Sequence, residues 1–296
     1  MRKYPFFQVD AFTDQPLAGN PCAIIFDADD LDEATMLSIA REMNLSETSF
    51  VMRSQVADFR ARYFTPAEEI PLAGHPTIAT IFMLADTGRL PVKGERTSVM
   101  LELQVGPIRV DIFSDAGKVK RIIMTQKKPQ FLSIHDAAVV LPIFGLGIED
   151  LRSGLPIQTV STGTPQMMVP LKDQDALRRA RLDIGAYNKY RAQSDFFSPH
   201  LFCTGGFTQN GNTSARHFGV PPDTMEDPFT GSATGGMASY MWRYGLLKEP
   251  TFIAEQGHWM SRPGQAYVEV VGPPEDIETV RVGGAAVTVL RGELIL

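Results

Sequence analysis

The chain has 296 residues, 44% of them hydrophobic, and carries 28 basic against 34 acidic side chains for a net charge of −6. That length supports two hydrophobic cores of ordinary size, and the acidic balance excludes nucleic acid or an anionic membrane surface as the main partner. The longest apolar stretch, Ala137 to Ile148, holds Pro142 and is too short to span a bilayer.

In chain order, Phe6 to Phe12 and Ala23 to Phe26 read as strands around the turn Pro16-Leu17-Ala18-Gly19-Asn20-Pro21. Met36, Ile39, Ala40 and Met43 follow helical spacing, so Leu31 to Asn44 is expected to be an amphipathic helix. Glu47 then stands at the junction with a strand, Thr48-Ser49-Phe50-Val51-Met52. Alternating segments at Phe59–Phe64, Val99–Leu103, Ile108–Ile112 and Arg121–Met124 add further strands, and Gln126-Lys127-Lys128-Pro129-Gln130 reads as a crossing between halves. Arg178-Arg179-Ala180-Arg181 reads as a solvated helix face, and Gly205 to Asn212 as a flexible loop. Gln166 to Val169 and Ala266 to Val271 are strand candidates, and Thr279–Val282 with Ala286–Leu290 read as a terminal hairpin. No apolar signal region follows Met1-Arg2-Lys3-Tyr4-Pro5. Cys22 and Cys203, the only cysteines, fit a reducing cytoplasm without a disulfide framework or a thiolate metal site.

An internal repeat organises these elements. Glu69-x-Pro71-x-x-Gly74-His75-x-Thr77 returns 157 positions later as Glu226-x-Pro228-x-x-Gly231-Ser232-x-Thr234, and Gly19-Asn20-Pro21 has a partner in Gly163-Thr164-Pro165. Each longer copy runs into an apolar stretch and stops near a glycine, Gly88 or Gly245, suited to a helix C-cap. Two turn-then-helix units in a chain too short for a solenoid imply two pseudo-symmetric halves with a cleft between them. The expected fold class is α+β, each half a curved sheet around its repeat helix. The expected boundaries are 1–120 and 121–283, with a C-terminal strand at about 284–296 returning to the first half.

The repeat also carries the chemistry. First-turn N–H groups and the positive end of the helix dipole at Gly74 and Gly231 would hold a small carboxylate. Glu47, at a helix-to-strand turn, is a candidate general base or acid if burial raises its pKa. His75 at a helix start would stay neutral and relay a proton. Taken singly, Asp227 reads as a turn residue and Ser232 as an N-cap; together with Glu47 and His75 they gain weight, because His75 and Ser232 occupy equivalent repeat positions. The five histidines show no metal-ligand spacing, and no nucleotide-binding fingerprint is present, so neither metal nor cofactor is expected.

Val9-Asp10-Ala11-Phe12-Thr13, Pro16-Leu17-Ala18-Gly19-Asn20-Pro21, Arg41 to Thr48, Phe64-Thr65-Pro66, Gly74-His75-Pro76 and Glu226 to Ala233 together resemble the phenazine-biosynthesis PhzF-like family, from about Val9 to the C-terminus. The resemblance implies a diaminopimelate-epimerase-like fold with the active site between the halves. It also implies a cofactor-independent isomerase that shifts a proton on a small cyclic or unsaturated carboxylate such as trans-2,3-dihydro-3-hydroxyanthranilate. Glu47 matches the proton-shuttling Glu, and His75, Asp227 and Ser232 match its partners. Gly74 and Gly231, with Ser46 beside Glu47 and Ala233 beside Ser232, match the substrate-holding positions. A cytoplasmic homodimer is implied by the same analogy. Two alternatives stand beside this reading: an epimerase or racemase, and a non-catalytic small-acid binder. Cofactor-independent epimerases place a cysteine just before the Gly of each repeat; here those positions hold Ala73 and Thr230, which argues against a two-thiol mechanism. Gly231-Ser232-Ala233 is followed by Thr234-Gly235-Gly236 rather than the Ala-Gly-Pro of the phenazine-pathway enzyme, a departure that bears on the substrate.

Overall fold

The computed structural model describes residues 1–296 as two compact units, one made of 1–125, 222–224 and 283–296, the other of 126–221 and 225–282. In the first unit the strand Lys3–Ala11 pairs antiparallel with Asn20–Ile25, which runs parallel to Glu47–Met52. Phe59–Phe64 then pairs antiparallel with Glu47–Met52 and with the two-residue strand Glu69–Ile70, and parallel with Arg96–Leu103. Two hairpins join Arg96–Leu103, Gly106–Asp115 and Lys118–Thr125. The helix Glu33–Met43 lays Met36, Ile39 and Ala40 on this sheet, in a core with Tyr4, Ile25, Phe50 and Phe64. Asp32 caps its start, and Asn44 ends it in the left-handed conformation, φ 51°, which Asn adopts at low cost. That stop delivers the chain three residues later to Glu47, the first residue of its strand.

The second unit repeats this order. Ile157–Ser161 pairs antiparallel with Pro165–Pro170, which runs parallel to Ser198–Thr204. Thr213–Phe218 pairs antiparallel with Ser198–Thr204 and with the two-residue strand Glu226–Asp227, and parallel with Thr251–Gln256, which forms a hairpin with Gly264–Val271. The internal repeat is therefore a repeat of topology. Each unit also has a central helix, Gly74–Asp86 in the first and Gly231–Arg243 in the second, buried along most of its length. Gly88 and Gly245 follow them at φ 72° and 67°, where glycine avoids the Cβ penalty. Val140, Leu141, Phe144, Met167, Val169, Tyr187 and Leu201 belong to one hydrophobic core of the second unit.

Three expectations change. The last strand, Ala286–Ile295, is no partner in a terminal hairpin, because Ala285 alone separates it from Thr279–Gly284 and leaves no room for a turn; it pairs antiparallel with Lys3–Ala11 of the first unit, from Lys3↔Ile295 to Ala11↔Ala286. Ser232 is not an N-cap; Thr230 holds that position and Ser232 lies inside the first turn. The Gly205–Asn212 loop is tied rather than free, since the Glu255 carboxylate accepts from the Phe207 and Thr208 amides, the latter at 3.1 Å, and from the Thr208 hydroxyl. Short helices at Ala137–Ile143, Gln174–Arg179 and Ile184–Arg191 were not legible as periodicity, the longest having only eight residues; each is started by an Asp cap. The basic run closes the second of them, with Arg178 and Arg179 both paired to Asp175.

Candidate active site

In the first unit, Ala73 is the extended N-cap of the central helix, and His75 sits in its first turn, 2% exposed. Pro76 beside it needs no N–H partner so near a helix start. Glu47 comes from the neighbouring strand, half-buried, and its Oε2 lies 3.2 Å from His75 Nε2. On the other side of the ring the Asn20 amide nitrogen lies 3.0 Å from Nδ1. With that amide donating, Nδ1 is an acceptor and the ring proton belongs on Nε2, the nitrogen nearer Glu47. Burial holds the imidazole neutral and pushes its pKa down to about 3, although the carboxylate works in the opposite sense. Hydrogen bonds between Tyr63 and Thr77, 3.0 Å, and between Ser49 and Thr80, 2.7 Å, fasten the helix to the sheet behind this pair. Ser46 precedes Glu47 in the turn and is buried, its hydroxyl 3.4 Å from that of Thr224. Cys22, opposite Glu47 in the parallel pair, has its thiol pushed well above the ordinary range, first by burial and then by the Glu47 charge. It is a packing residue and no nucleophile.

In the second unit the Asp227 carboxylate accepts from the Thr230 hydroxyl. Gln256 braces the same turn: its Oε1 accepts from the Thr230 amide at 3.2 Å, and its Nε2 donates to the Asp227 carbonyl at 2.7 Å. Gly231, Ser232 and Ala233 form the buried first turn of the helix. Gln126 supports it from behind, donating to the Gly231 carbonyl at 2.9 Å while Thr162 donates to its Oε1 at 2.5 Å. A Cβ on Gly235 would stand 1.8 Å from that Oε1. Gly235→Ala should therefore cost about 2–4 kcal/mol by evicting Gln126 from its bonds, despite the better helix propensity of Ala. Urea unfolding of the variant checks this; a stability equal to or above wild type would show that Gln126 yields freely.

Both central helices differ from the others at their starts. Helices Glu33–Met43, Ala137–Ile143, Gln174–Arg179 and Ile184–Arg191 each have an Asp whose side chain accepts from the first turn. The Gly74 and Gly231 helices have neither a side-chain cap bond nor an acidic residue in the first turn. That is the arrangement an anion-accepting helix end requires. The segments feeding them are held alike: Arg62 grips Glu69 with Nε at 2.7 Å and Nη2 at 2.5 Å, and Arg216 grips Glu226 at 2.8 and 2.7 Å. Each guanidinium also lies over a ring two residues on, Phe64 at 5.1 Å and Phe218 at 4.6 Å. Sequence reading picked out both glutamates but missed their arginines, and missed Asn20, Thr230, Gln126 and Gln256 as braces. Asn20 stood in the shorter repeat motif; Gln126 and Gln256 carry no local signal.

The sequence model of the family described as phenazine biosynthesis-like protein matches residues 9–292. A trans-2,3-dihydro-3-hydroxyanthranilate isomerase of Pseudomonas fluorescens is 35% identical over 291 residues, covering 97% of this chain and 98% of the relative. A Bacillus anthracis phenazine biosynthesis protein of the PhzF family superposes with a TM-score of 0.88 at 33% identity, both chains covered over 100% of their length. A hydroxyproline epimerase of Agrobacterium vitis shares the fold, with a TM-score of 0.69 at 12% identity over 99% of this chain and 92% of that one. The α+β class expected from the residues, and the epimerase-like fold that the resemblance implied, are thus borne out. No helix is long and apolar enough to cross a membrane.

Proposed function

The chain belongs to the phenazine biosynthesis-like family, and on that premise we propose that this isomerase moves a proton between two carbons of a small cyclic or unsaturated carboxylate, of the class of trans-2,3-dihydro-3-hydroxyanthranilate. The observation that carries the proposal is the Glu47–His75 pair, 3.2 Å apart with the imidazole held neutral. Glu47 as carboxylate removes a proton from one ring carbon and, as the acid so formed, returns it to another on the same face while the double bond shifts. Nothing is added or lost. The neutral His75 imidazole, its Nε2 3.2 Å from that carboxylate, keeps it oriented through the transfer.

The uncapped helix starts at Gly74 and Gly231 support the choice of a carboxylate substrate. In the proposal Ser46, Asp227, Ser232 and Ala233 complete the set of substrate contacts, on the strength of the repeat and the family pattern. The cysteines do not favour a two-thiol epimerase: Cys22 and Cys203 are both buried, and burial pushes Cys203 up to about 12. A cytoplasmic homodimer belongs to the same proposal.

The test is incubation with trans-2,3-dihydro-3-hydroxyanthranilate in D₂O, followed by proton NMR of the ring. Loss of substrate signals with wild type, and none with Glu47→Gln, is the expected result. An untouched substrate with the wild-type enzyme would remove this compound and direct the search to other small carboxylates; turnover by both proteins would remove Glu47 from its role.

A further inference from the structure

The turn before the second central helix holds three polar side chains at places where the first unit has apolar ones. The repeat sets Asp227 against Ile70, and the N-cap Thr230 against the N-cap Ala73. Strand register supplies the third pair. Tyr63↔Ile70 corresponds to His217↔Asp227, which aligns Phe59 with Thr213; the parallel pairs Phe59↔Leu101 and Thr213↔Ala254 then align Leu103 with Gln256. The same topology forms with Ile70, Ala73 and Leu103 in one unit and with Asp227, Thr230 and Gln256 in the other. The fold itself therefore does not require the polar set.

The proton order within it follows from counting donors. Buried Gln256 fits in one orientation: its Oε1 accepts from the Thr230 amide at 3.2 Å, and its Nε2 faces two oxygens, the Asp227 carbonyl at 2.7 Å and the Thr230 hydroxyl at 3.2 Å. Turned over, the amide would set its own N–H groups against an N–H and its oxygen against a carbonyl. Because Nε2 only donates, the Thr230 hydroxyl accepts from it. The single hydrogen of that hydroxyl then goes to the Asp227 carboxylate.

A threonine at an N-cap ordinarily turns its hydroxyl oxygen toward the N–H groups of the first turn. Thr230 makes no such bond; its hydroxyl points back along the chain to Asp227 and leaves the helix start open. A donor placed in this way holds a carboxylate in one orientation and favours its ionised form. We propose that Thr230, its hydroxyl oriented by Gln256, is the positioning residue for the Asp227 carboxylate. The inference rests on Asp227 acting in the proposed reaction, and one arm of its test does not depend on a substrate.

Wild-type protein, Thr230→Ser, Thr230→Val and Gln256→Leu are compared in two ways: by the Asp227 Cγ resonance followed against pH, assigned with Asp227→Asn, and by turnover of trans-2,3-dihydro-3-hydroxyanthranilate. Ser keeps the hydroxyl and should match wild type in both. Val keeps the shape of Thr without the hydroxyl; it should raise the midpoint by about half a pH unit or more. Its kcat should fall by about 10- to 100-fold, the weight of one hydrogen bond to a charged group, with KM changed little. Gln256→Leu installs the residue the first unit has at that place and should raise the midpoint by less than Val does, the hydroxyl being present but no longer oriented. A Val variant equal to wild type in midpoint or in kcat, a Ser variant displaced as far as Val, or a Gln256→Leu midpoint equal to wild type would overturn the proposal. If the Val variant does not fold, Thr230→Ala, which carries the N-cap of the first unit, is measured in its place with the same expected results. Absence of turnover by wild type alongside the expected midpoints would count against the proposed reaction and leave the hold of Thr230 on Asp227 standing.

Discussion

Glu47→Gln should lower kcat by about 10²–10⁴, the usual weight of a positioned general base, with KM changed little. The two side chains are isosteric, so the substitution keeps the strand start and the packing around His75, and it removes only the capacity to hold a proton. Thermal stability should stay near wild type because Glu47 is the half-buried first residue of its strand and Gln keeps its shape. Progress curves by NMR with the substrate named above check the ratio. A variant retaining more than about a tenth of wild-type kcat, well outside the loss expected of a general base, would assign the proton transfer elsewhere.

The second large effect is loss of stability in mild acid. His75 and His217 are pushed down to about 3 and His200 well below its ordinary value, each by burial. In the unfolded chain the same rings take up protons near pH 6.5. Between that pH and the folded-state values the unfolded state binds protons that the native state refuses, so stability falls as pH falls. Each ring contributes a slope of about 1.4 kcal/mol per pH unit across that window. Carboxylates held low by ion pairs and hydrogen bonds, Asp111 and Asp150 among them, add losses in the same direction at lower pH. Urea midpoints at pH 7, 6 and 5 should decline steadily, and His217→Gln should flatten the decline by one ring. A stability independent of pH between 7 and 5 would mean that these rings are protonated in the folded protein.

How far the sequence could be read depended on whether a signal was local. The helix ending at Asn44 was legible because its apolar residues recur at helical spacing and Asn suits the left-handed stop. The central helices were legible because each carries the same Pro-Gly approach and a glycine two residues past its end. The last strand was read in two ways, as half of a hairpin and as a strand returning to the first half, since its alternation says that it is a strand and nothing about its partner; its pairing with Lys3–Ala11 is of the second kind. Ser232 was misread as a cap for a similar reason: a hydroxyl near a helix start fits position N-cap or N2 equally well, and only the dihedral angles of Thr230 decide. Arg62 and Arg216 looked like ordinary strand cations until pairing register set them against Glu69 and Glu226.

By itself the sequence determined the class of fold, the duplication, and the residue types from which the candidate site is built: a carboxyl at a helix-to-strand turn, an imidazole at a helix start, and two glycine-led helix ends. Those follow from periodicity, turn chemistry and repeated motifs, which act over a few residues. Tertiary structure alone decided that Glu47 meets His75, that Asn20 orients the ring, that Gln126 occupies the space Gly235 leaves open, and that the counterpart of Gln256 in the first unit is Leu103. Each of these is a contact between residues 28 to 109 positions apart, or a match of strand register between the two units. Such contacts are set by how strands align and pack, and no local pattern of residues encodes them.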